Sequence, residues 1–190
     1  MKSLYNYIVK PKNGKLYDNE KEFEGGSFII SSSIENHEVT NRQATVLAAP
    51  SKLNTDVLHG ATIIVHHNVF RKYNDMKGVE VFAAGLIKDD IYMVDPYQVF
   101  MYKNPGETDW TTLDPFCFVS PIKNDSELTN GSEKELYGTM EYPNKYLLDL
   151  GIKKGDTIGF RTDSEYEFNI DGKKYYRVNS NNICLKAQEK

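Results

Sequence analysis

The sequence has few of the features that mark membrane proteins or disulfide-rich secreted scaffolds. No apolar stretch approaches the ~20 residues that are needed to span a bilayer. The segment 1–5 lacks the apolar run of a signal peptide, so we expect a cytoplasmic protein. Cysteine occurs only at Cys117 and Cys184, each within a strand-like run. We expect both to be buried thiols in a reducing compartment, and a disulfide between them is the alternative.

The sequence also lacks an excess of positive charge and the common motifs of enzymes. Its 23 Lys and Arg against 27 Asp and Glu give a net charge of −4, which disfavours binding to nucleic-acid phosphates. No Cys-x-x-Cys or His-x-x-x-His spacing is present, and the adjacent His66 and His67 would point to opposite faces of a regular strand. There is no Gly-Lys-Ser/Thr phosphate loop and no nucleophile elbow. We therefore expect no enzyme, no catalytic residue, no metal site and no cofactor, and we assign Asp89, Asp90 and Asp95 to turns and solvated surface.

The most informative feature that is present is a duplicated pattern. One template occurs twice at identical spacing: aromatic, apolar, carboxylate or amide, amide, and two further apolar positions. Its members are Tyr92, Val94, Asp95, Gln98, Val99 and Met101 in the first copy and Tyr176, Val178, Asn179, Asn182, Ile183 and Leu185 in the second. An internal repeat constrains the architecture before any chemistry is considered.

The two copies share further β-like segments and predict the fold class. Each opens with an apolar run that ends in proline, at 7–11 and 117–121, and each has a glycine followed by a β run, at 60–65 and 155–160. Aromatic and β-branched residues lie in short runs broken by turn formers, which is typical of barrels and sandwiches. We predict an all-β protein of two tandem irregular β-barrels, at 1–103 and 114–190, joined by a linker at 104–113. Trp110 is expected to anchor this linker to the second barrel.

The first copy is longer than the second at two places. Val9 and Gly60 are 51 positions apart, whereas Val119 and Gly155 are 36 apart, and a further insertion follows the central strand of the first copy. Insertions of this kind are accommodated in surface loops, and long loops in compact domains are often functional.

The longer insertion, residues 12–42, is mostly polar but has an apolar centre. Gly25 and Gly26 precede Phe28, Ile29 and Ile30, and three serines follow. One interpretation is an edge strand or a loop packed back on its own barrel. The other is a mobile arm that offers apolar side chains to a partner.

In their order, these segments resemble the GroES-like co-chaperonins (the Hsp10 family). That family's subunit opens with a Val-Lys-Pro-like strand, and a mobile loop with a Gly-Gly-apolar-apolar-apolar core follows. A further strand and a Gly-Asp-x-Val-x-Phe strand come next. The matching segments here are 9–11, 25–30 with one added residue, 44–49, 58–65 without the Asp, and 150–160 in the second copy. Each motif alone is weak, and it is their order, repeated twice, that carries the resemblance.

The resemblance implies a co-chaperonin that caps a GroEL-type chaperonin and assists ATP-dependent protein folding. It implies a homo-oligomeric ring, a heptamer by family resemblance, with no nucleic-acid or membrane partner. The chaperonin-binding residues carried over from the family are Gly25, Gly26, Phe28, Ile29 and Ile30.

The sequence departs from this family in three respects. The corresponding loop of the second copy, 123–135, has no apolar triplet, so we expect only the first copy to dock. Residues 50–59 leave little room for the family's roof hairpin. Two copies with eroded motifs favour a divergent version encoded by a bacteriophage, in the host cytoplasm.

Two functions other than that of a co-chaperonin stay open. They are a phage structural or assembly protein, and a single-strand nucleic-acid binder that stacks bases on exposed Tyr.

Overall fold

The computed structural model describes residues 2–17, 20–23, 26–29, 40–74, 76–81, 85–124 and 132–187, and it gives the backbone alone for 20–23, 26–29, 73, 74 and 80. The described residues form many short strands, one short α-helix and several 3₁₀ turns. The chain divides into two compact units, Met1–Asp109 (unit 1) and Trp110–Lys190 (unit 2). The all-β class and the tandem arrangement predicted from the sequence are confirmed. The division falls within the segment that was predicted to be the linker.

Unit 1 is built on one antiparallel sheet with two separate hairpins. Its strands are β1 (Tyr7–Pro11), β2 (Glu20–Phe23), β3 (Gly26–Ile29), β4 (Gln43–Ala48), β5 (Thr62–Val65), β6 (Tyr73–Asn74), β7 (Glu80–Val81), β8 (Leu86–Lys88), β9 (Ile91–Val94) and β10 (Val99–Lys103). Within the unit, the sheet has the order β10-β5-β4-β1-β9-β8. Strands β2 and β3 pair only with each other among the described residues, and so do β6 and β7.

Unit 2 contains a sheet of the same connectivity. Its elements are β11 (Thr111–Thr112), β12 (Phe116–Lys123), β13 (Glu133–Tyr142), α1 (Lys145–Asp149), β14 (Thr157–Phe160), β15 (Tyr166–Ile170), β16 (Lys173–Asn179) and β17 (Ile183–Lys186). The six-stranded sheet has the order β15-β16-β12-β13-β14-β17. In the part of the chain that the structure describes, neither sheet closes into a barrel through backbone hydrogen bonds.

The strand registers show that the two units repeat one backbone frame. In each unit one valine of the first strand lies opposite one residue on each neighbouring strand. A register shift, as in a β-bulge, directly precedes this valine in the pairing of β1 with β4 and of β12 with β13. The equivalent residues of units 1 and 2 are Val9 and Val119, Val46 and Met140, and Tyr92 and Tyr176. The pairing of β5 with β10 in unit 1 and the pairing of β14 with β17 in unit 2 also shift register at equivalent residues. The duplication read from the sequence is therefore present in the hydrogen bonding.

The glycine of each copy makes the same turn into the central strand. Gly60 and Gly155 have φ of +81° and +92°, a left-handed conformation that glycine adopts without steric cost. Their N–H groups donate to the carbonyl oxygens of Val46 (2.8 Å) and Met140 (2.7 Å). The shared glycine is thus explained by the turn that connects β4 to β5 in unit 1 and β13 to β14 in unit 2.

The polar positions of the repeated template cap a 3₁₀ turn that leads into the last strand. The Asp95 carboxylate accepts the N–H of Tyr97 at 2.9 Å, and the Asn179 side-chain oxygen accepts the N–H of Asn181 at 3.0 Å. Short polar side chains are favoured at such positions because they satisfy backbone N–H groups that the turn leaves unpaired. The carboxylate or amide of the template therefore has a structural role in both units.

Apolar residues of the strands form a core in each unit. Val9, Val46, Ile63 and Val94 are fully buried in unit 1. In unit 2 the core cluster is formed by Cys117, Val119, Met140, Leu147, Ile152, Ile158, Phe160 and Val178.

The predictions for the two cysteines have opposite outcomes. Cys117 is buried, but Cys184 is exposed on β17 and both thiols are free, so the expected burial of Cys184 and the alternative disulfide are wrong.

Trp110 and the short helix agree with the sequence. The Trp110 ring is buried in unit 2, and its indole N–H donates to the Asp171 carboxylate at 3.2 Å, at the tip of the β15–β16 hairpin. The predicted anchoring of this tryptophan to the second unit is confirmed. Helix α1 is capped by Asn144, whose side chain accepts the N–H of Leu147, and it ends at Asp149, two residues before Gly151, which has φ of +80°.

Candidate functional site

The candidate site begins where the long insertion leaves unit 1. We call residues 18–39 the arm, and Leu16, Tyr17, Thr40 and Asn41 its root. Tyr17 and Thr40 form an antiparallel bridge, and the Asn41 N–H donates to the Leu16 carbonyl at 2.9 Å. The two ends of the arm are therefore held together at one point on the unit.

A buried amide side chain locks the root. Asn41 is 4% exposed. Its Nδ2 donates to the carbonyl oxygens of Lys12 (3.1 Å) and Lys15 (2.7 Å), and its Oδ1 accepts the N–H of Gln43 (2.8 Å). An amide side chain has two donor hydrogens and one acceptor oxygen, and all are used here. A buried polar group that is fully hydrogen-bonded holds a unique arrangement, so Asn41 fixes where the arm leaves.

Further contacts tie the root to the unit. Lys12, which precedes the arm, donates from its Nζ to the side chain of Gln43, which follows the arm, at 2.6 Å. The Tyr17 hydroxyl accepts the N–H of Lys72 at 2.9 Å. Burial raises the pKa of the Tyr92 hydroxyl, and Asp90 and Tyr17 add smaller contributions in the same direction. The root is attached to β4 and to the segment after β5.

The arm contains a β-hairpin in its described part. Backbone pairing places Glu20 opposite Ile29, Lys21 opposite Phe28 and Phe23 opposite Gly26. Of the residues predicted to bind a partner, Gly26, Phe28 and Ile29 lie on β3, where the structure describes the backbone. Gly25 and Ile30 lie outside the described residues. The structure thus brings Gly26, Phe28 and Ile29 onto one strand of the arm's hairpin.

The corresponding connection in unit 2 is built differently. Strands β12 and β13 continue further, and the Asn124 N–H donates to the Ser132 carbonyl at 2.8 Å; residues 125–131 lie outside the described part. Lys174 Nζ pairs with Glu133 (2.9 Å) and Glu167 (3.1 Å), and the Tyr176 hydroxyl donates to Glu133. Polar and charged side chains therefore tie this end of β13 to the neighbouring strands.

Electrostatics at this cluster follow from its contacts. Burial raises the pKa of Glu133, but the hydrogen bonds from Tyr176 and Lys174 outweigh burial, so its pKa lies below the ordinary value. Hydrogen bonding to Tyr176 and to the two carboxylates raises the pKa of Lys174. Glu133 and Lys174 are each more than one third exposed, so solvent screens the pairs and they contribute little stability.

A second feature of unit 1 was only partly visible in the sequence. The segment 66–85 between β5 and β8 contains a 3₁₀ turn, His67–Val69, and the β6–β7 hairpin. An insertion after the central strand of the first copy was predicted from the sequence, but its hairpin was not. The structure has β7 at Glu80–Val81, and residues 82–84 lie outside the described part. The turn residues Lys77 and Gly78 were the available signal.

The two adjacent histidines, His66 and His67, directly follow β5. The predicted opposite orientation of His66 and His67 is wrong, because β5 ends at Val65 and the chain turns, so that the two rings lie 4.2 Å apart. Within the described ranges, no group of three or more His, Cys, Asp and Glu side chains could hold a metal ion.

Among the same residues, no helix has the length and hydrophobicity that are required to cross a bilayer.

Comparisons with known proteins do not assign the chain to a family. No family model matches the sequence, and no curated protein matches it either.

Proposed function

We propose that this protein is a co-chaperonin-like cap that binds a GroEL-type chaperonin through the arm of unit 1, with Gly25, Gly26, Phe28, Ile29 and Ile30 at the contact. The observation that supports this proposal is the root of the arm. A buried, fully bonded Asn41 holds both ends of an insertion that the duplicated sheet does not require. Unit 2 forms the same sheet with a shorter connection between its first two main strands.

The energetics favour weak single contacts that act together. Burying one Phe or Ile contributes roughly 1.5–3 kcal/mol, so three such residues contribute about 5–9 kcal/mol before costs. Fixing a flexible residue costs about 1–2 kcal/mol, and ordering four or five residues offsets most of that gain. Pairing of β2 with β3 before binding would lower this cost. A homo-oligomeric ring that presents several arms, a heptamer by family resemblance, would convert weak contacts into useful avidity.

The proposal is tested by one substitution in the arm. We expect Ile29→Asp to abolish co-elution with a bacterial chaperonin in the presence of ATP, because a charge cannot be buried in an apolar contact without a partner. The isolated peptide 24–33 should bind weakly. Leu58→Asp is the control, since Leu58 is an exposed apolar residue of unit 1 outside the arm. Undiminished capture of the Ile29→Asp variant by the chaperonin contradicts the docking assignment.

A second candidate function is a structural or assembly role, such as in a phage particle, without chaperonin binding. Unit 2 favours it, because Tyr146, Leu148 and Leu150 expose large apolar side chains at and just after α1. Exposed apolar groups close together are typical of protein contacts. This role predicts stable particles that persist when residues 18–39 are replaced by a short Gly/Ser linker, as measured by light scattering. The cap function predicts that the same replacement abolishes chaperonin binding.

A further inference from the structure

The β6–β7 hairpin of unit 1 is an addition that the sheet does not require. In unit 1, residues 66–85 connect β5 to β8. In unit 2, residues 161–165 make the equivalent connection from β14 to β15, and β5 and β14 pair with their own neighbours in the same register. Ordering extra residues costs conformational entropy, and unit 2 shows that the frame forms without them. The hairpin therefore serves something other than the fold of the sheet.

This hairpin starts at the same place as the arm. The Lys72 N–H, directly before β6, donates to the hydroxyl of Tyr17 in the arm's root at 2.9 Å. Phe70 is fully buried and packs edge-to-face on Tyr92, with ring centroids 4.9 Å apart. Tyr92 belongs to β9 and fixes this start to the sheet. The two insertions of unit 1 are thus anchored side by side through a direct hydrogen bond.

The tip of the hairpin is apolar and exposed. Met76 is fully exposed, Val79 is 58% exposed, and Gly78 between them has φ of +77°, as a tight turn requires. Methionine is flexible and polarizable, and it adapts to the shape of an apolar partner surface. Two such residues bury too little area to hold a partner alone. They suit a second contact beside a stronger one.

We infer that the tip residues Met76 and Val79 form a second docking point for the same chaperonin that the arm binds, so that the partner-binding surface of unit 1 has two parts. This inference rests on the proposed function. The occupant is an apolar groove on the chaperonin, because the hydrogen bond from Lys72 to Tyr17 anchors the β6–β7 hairpin beside the arm, which binds this partner in the proposed function. A tethered second contact raises affinity through effective concentration rather than through its own strength.

The test uses the full-length chain and a purified bacterial chaperonin with nucleotide, and it measures affinity by surface-immobilised binding. We expect Met76→Asp/Val79→Asp to weaken binding by about tenfold, the loss expected from one modest apolar contact. Leu58→Asp is the matched control, since Leu58 is 57% exposed and should leave affinity unchanged. A photo-crosslinking side chain placed at position 76 should join the chaperonin, and one placed at position 58 should not.

The outcomes separate this inference from the proposed function. If Ile29→Asp abolishes binding while the tip variant binds like wild type, the second docking point is overturned and the cap function stands. If wild type does not bind the chaperonin at all, both are overturned. The tip inference is also overturned if the crosslinker at position 76 joins only another copy of this chain, or if the tip variant changes only association with anionic phosphatidylserine vesicles.

Discussion

Units 1 and 2 share one sheet frame but differ in what is attached to it. Both have the same register shift before one valine of the first strand, the same left-handed glycine and the same capped 3₁₀ turn. Unit 1 adds the arm and the β6–β7 hairpin, whereas unit 2 extends β12 and β13 and ties them with an ionic cluster. The frame is therefore a self-sufficient scaffold, and the differences between the copies lie in the connections, where function is usually found.

The two sheets also differ at one pair of equivalent positions. Met93 of unit 1, opposite Ile8, is 44% exposed. Its counterpart is Arg177, opposite Phe118, and the guanidinium lies over the rings of Phe116 and Tyr166 at 4.9 and 5.3 Å. Cation–π stacking covers these rings on unit 2. Unit 1 has a partly exposed apolar side chain at the same place.

The largest expected effect tests whether the two cores are independent. Phe118 is fully buried in unit 2 and packs edge-to-face on Phe168 at 5.5 Å. Phe118→Ala should lower the free energy of unfolding of unit 2 by about 3–5 kcal/mol through the lost burial and the cavity. Trp110 is the only tryptophan and lies in unit 2, so its fluorescence follows this transition. Phe70→Ala in unit 1 should leave the Trp110 transition in place, and a joint shift would show that the cores are coupled.

The next effect tests the root of the arm, which has no counterpart in unit 2. Asn41→Ala removes three buried side-chain hydrogen bonds and should cost about 2–3 kcal/mol, measured by chemical denaturation followed by circular dichroism. Glu135 stands two residues before Tyr137, as Asn41 stands two before Gln43, but it is exposed. Glu135→Ala should change stability by no more than about 0.5 kcal/mol. Equal effects of the two changes are incompatible with a special role of the root.

A smaller effect tests the equivalence of the two glycine turns. Gly60→Ala and Gly155→Ala should each destabilise by about 1–2 kcal/mol, because an L-residue is strained at positive φ. A Cβ at Gly155 meets no atom within 4 Å, and one at Gly60 makes an ordinary contact of 3.4 Å with Pro105. The two losses, measured by thermal unfolding, should therefore agree closely. A clear inequality would mean that the turns are not energetically matched.

The smallest effect is a pH dependence at a position where units 1 and 2 carry different residues. Asp156 accepts the Lys153 N–H at 2.6 Å and pairs with Lys186, and both contacts lower its pKa, whereas unit 1 has the buried Ala61 at this place. A lowered folded-state pKa gives stability above the unfolded value of about 3.9 that is lost as pH falls through the folded pKa. Asp156→Ala should cost about 1 kcal/mol or less at pH 7, and the difference should vanish as the pH falls below the folded-state pKa of Asp156. Trp110 fluorescence unfolding curves measure it, and a constant difference across pH argues against the linkage.

Much of the frame could be predicted from the sequence because local rules determine it. Gly60 and Gly155 mark turns, Asp95 and Asn179 mark capped turns, and alternating apolar residues mark strands that face a core. The hairpin β6–β7 was not predicted as such, since two strands of two residues leave almost no periodic signal. The burial of Cys184 was predicted wrongly, because β17 lies at an edge of the sheet of unit 2 and sheet order is not a local property.

For this protein, the amino-acid sequence by itself determined the strand class, the duplication and the turn positions, since these depend on residues close together in the chain. Only the tertiary structure decided that Asn41 closes the arm's root and that Tyr17 joins this root to Lys72. These contacts connect residues that are far apart in sequence, and backbone groups make one side of each. Backbone N–H and C=O groups are the same at every position, so no residue pattern reveals which of them a distant side chain will meet.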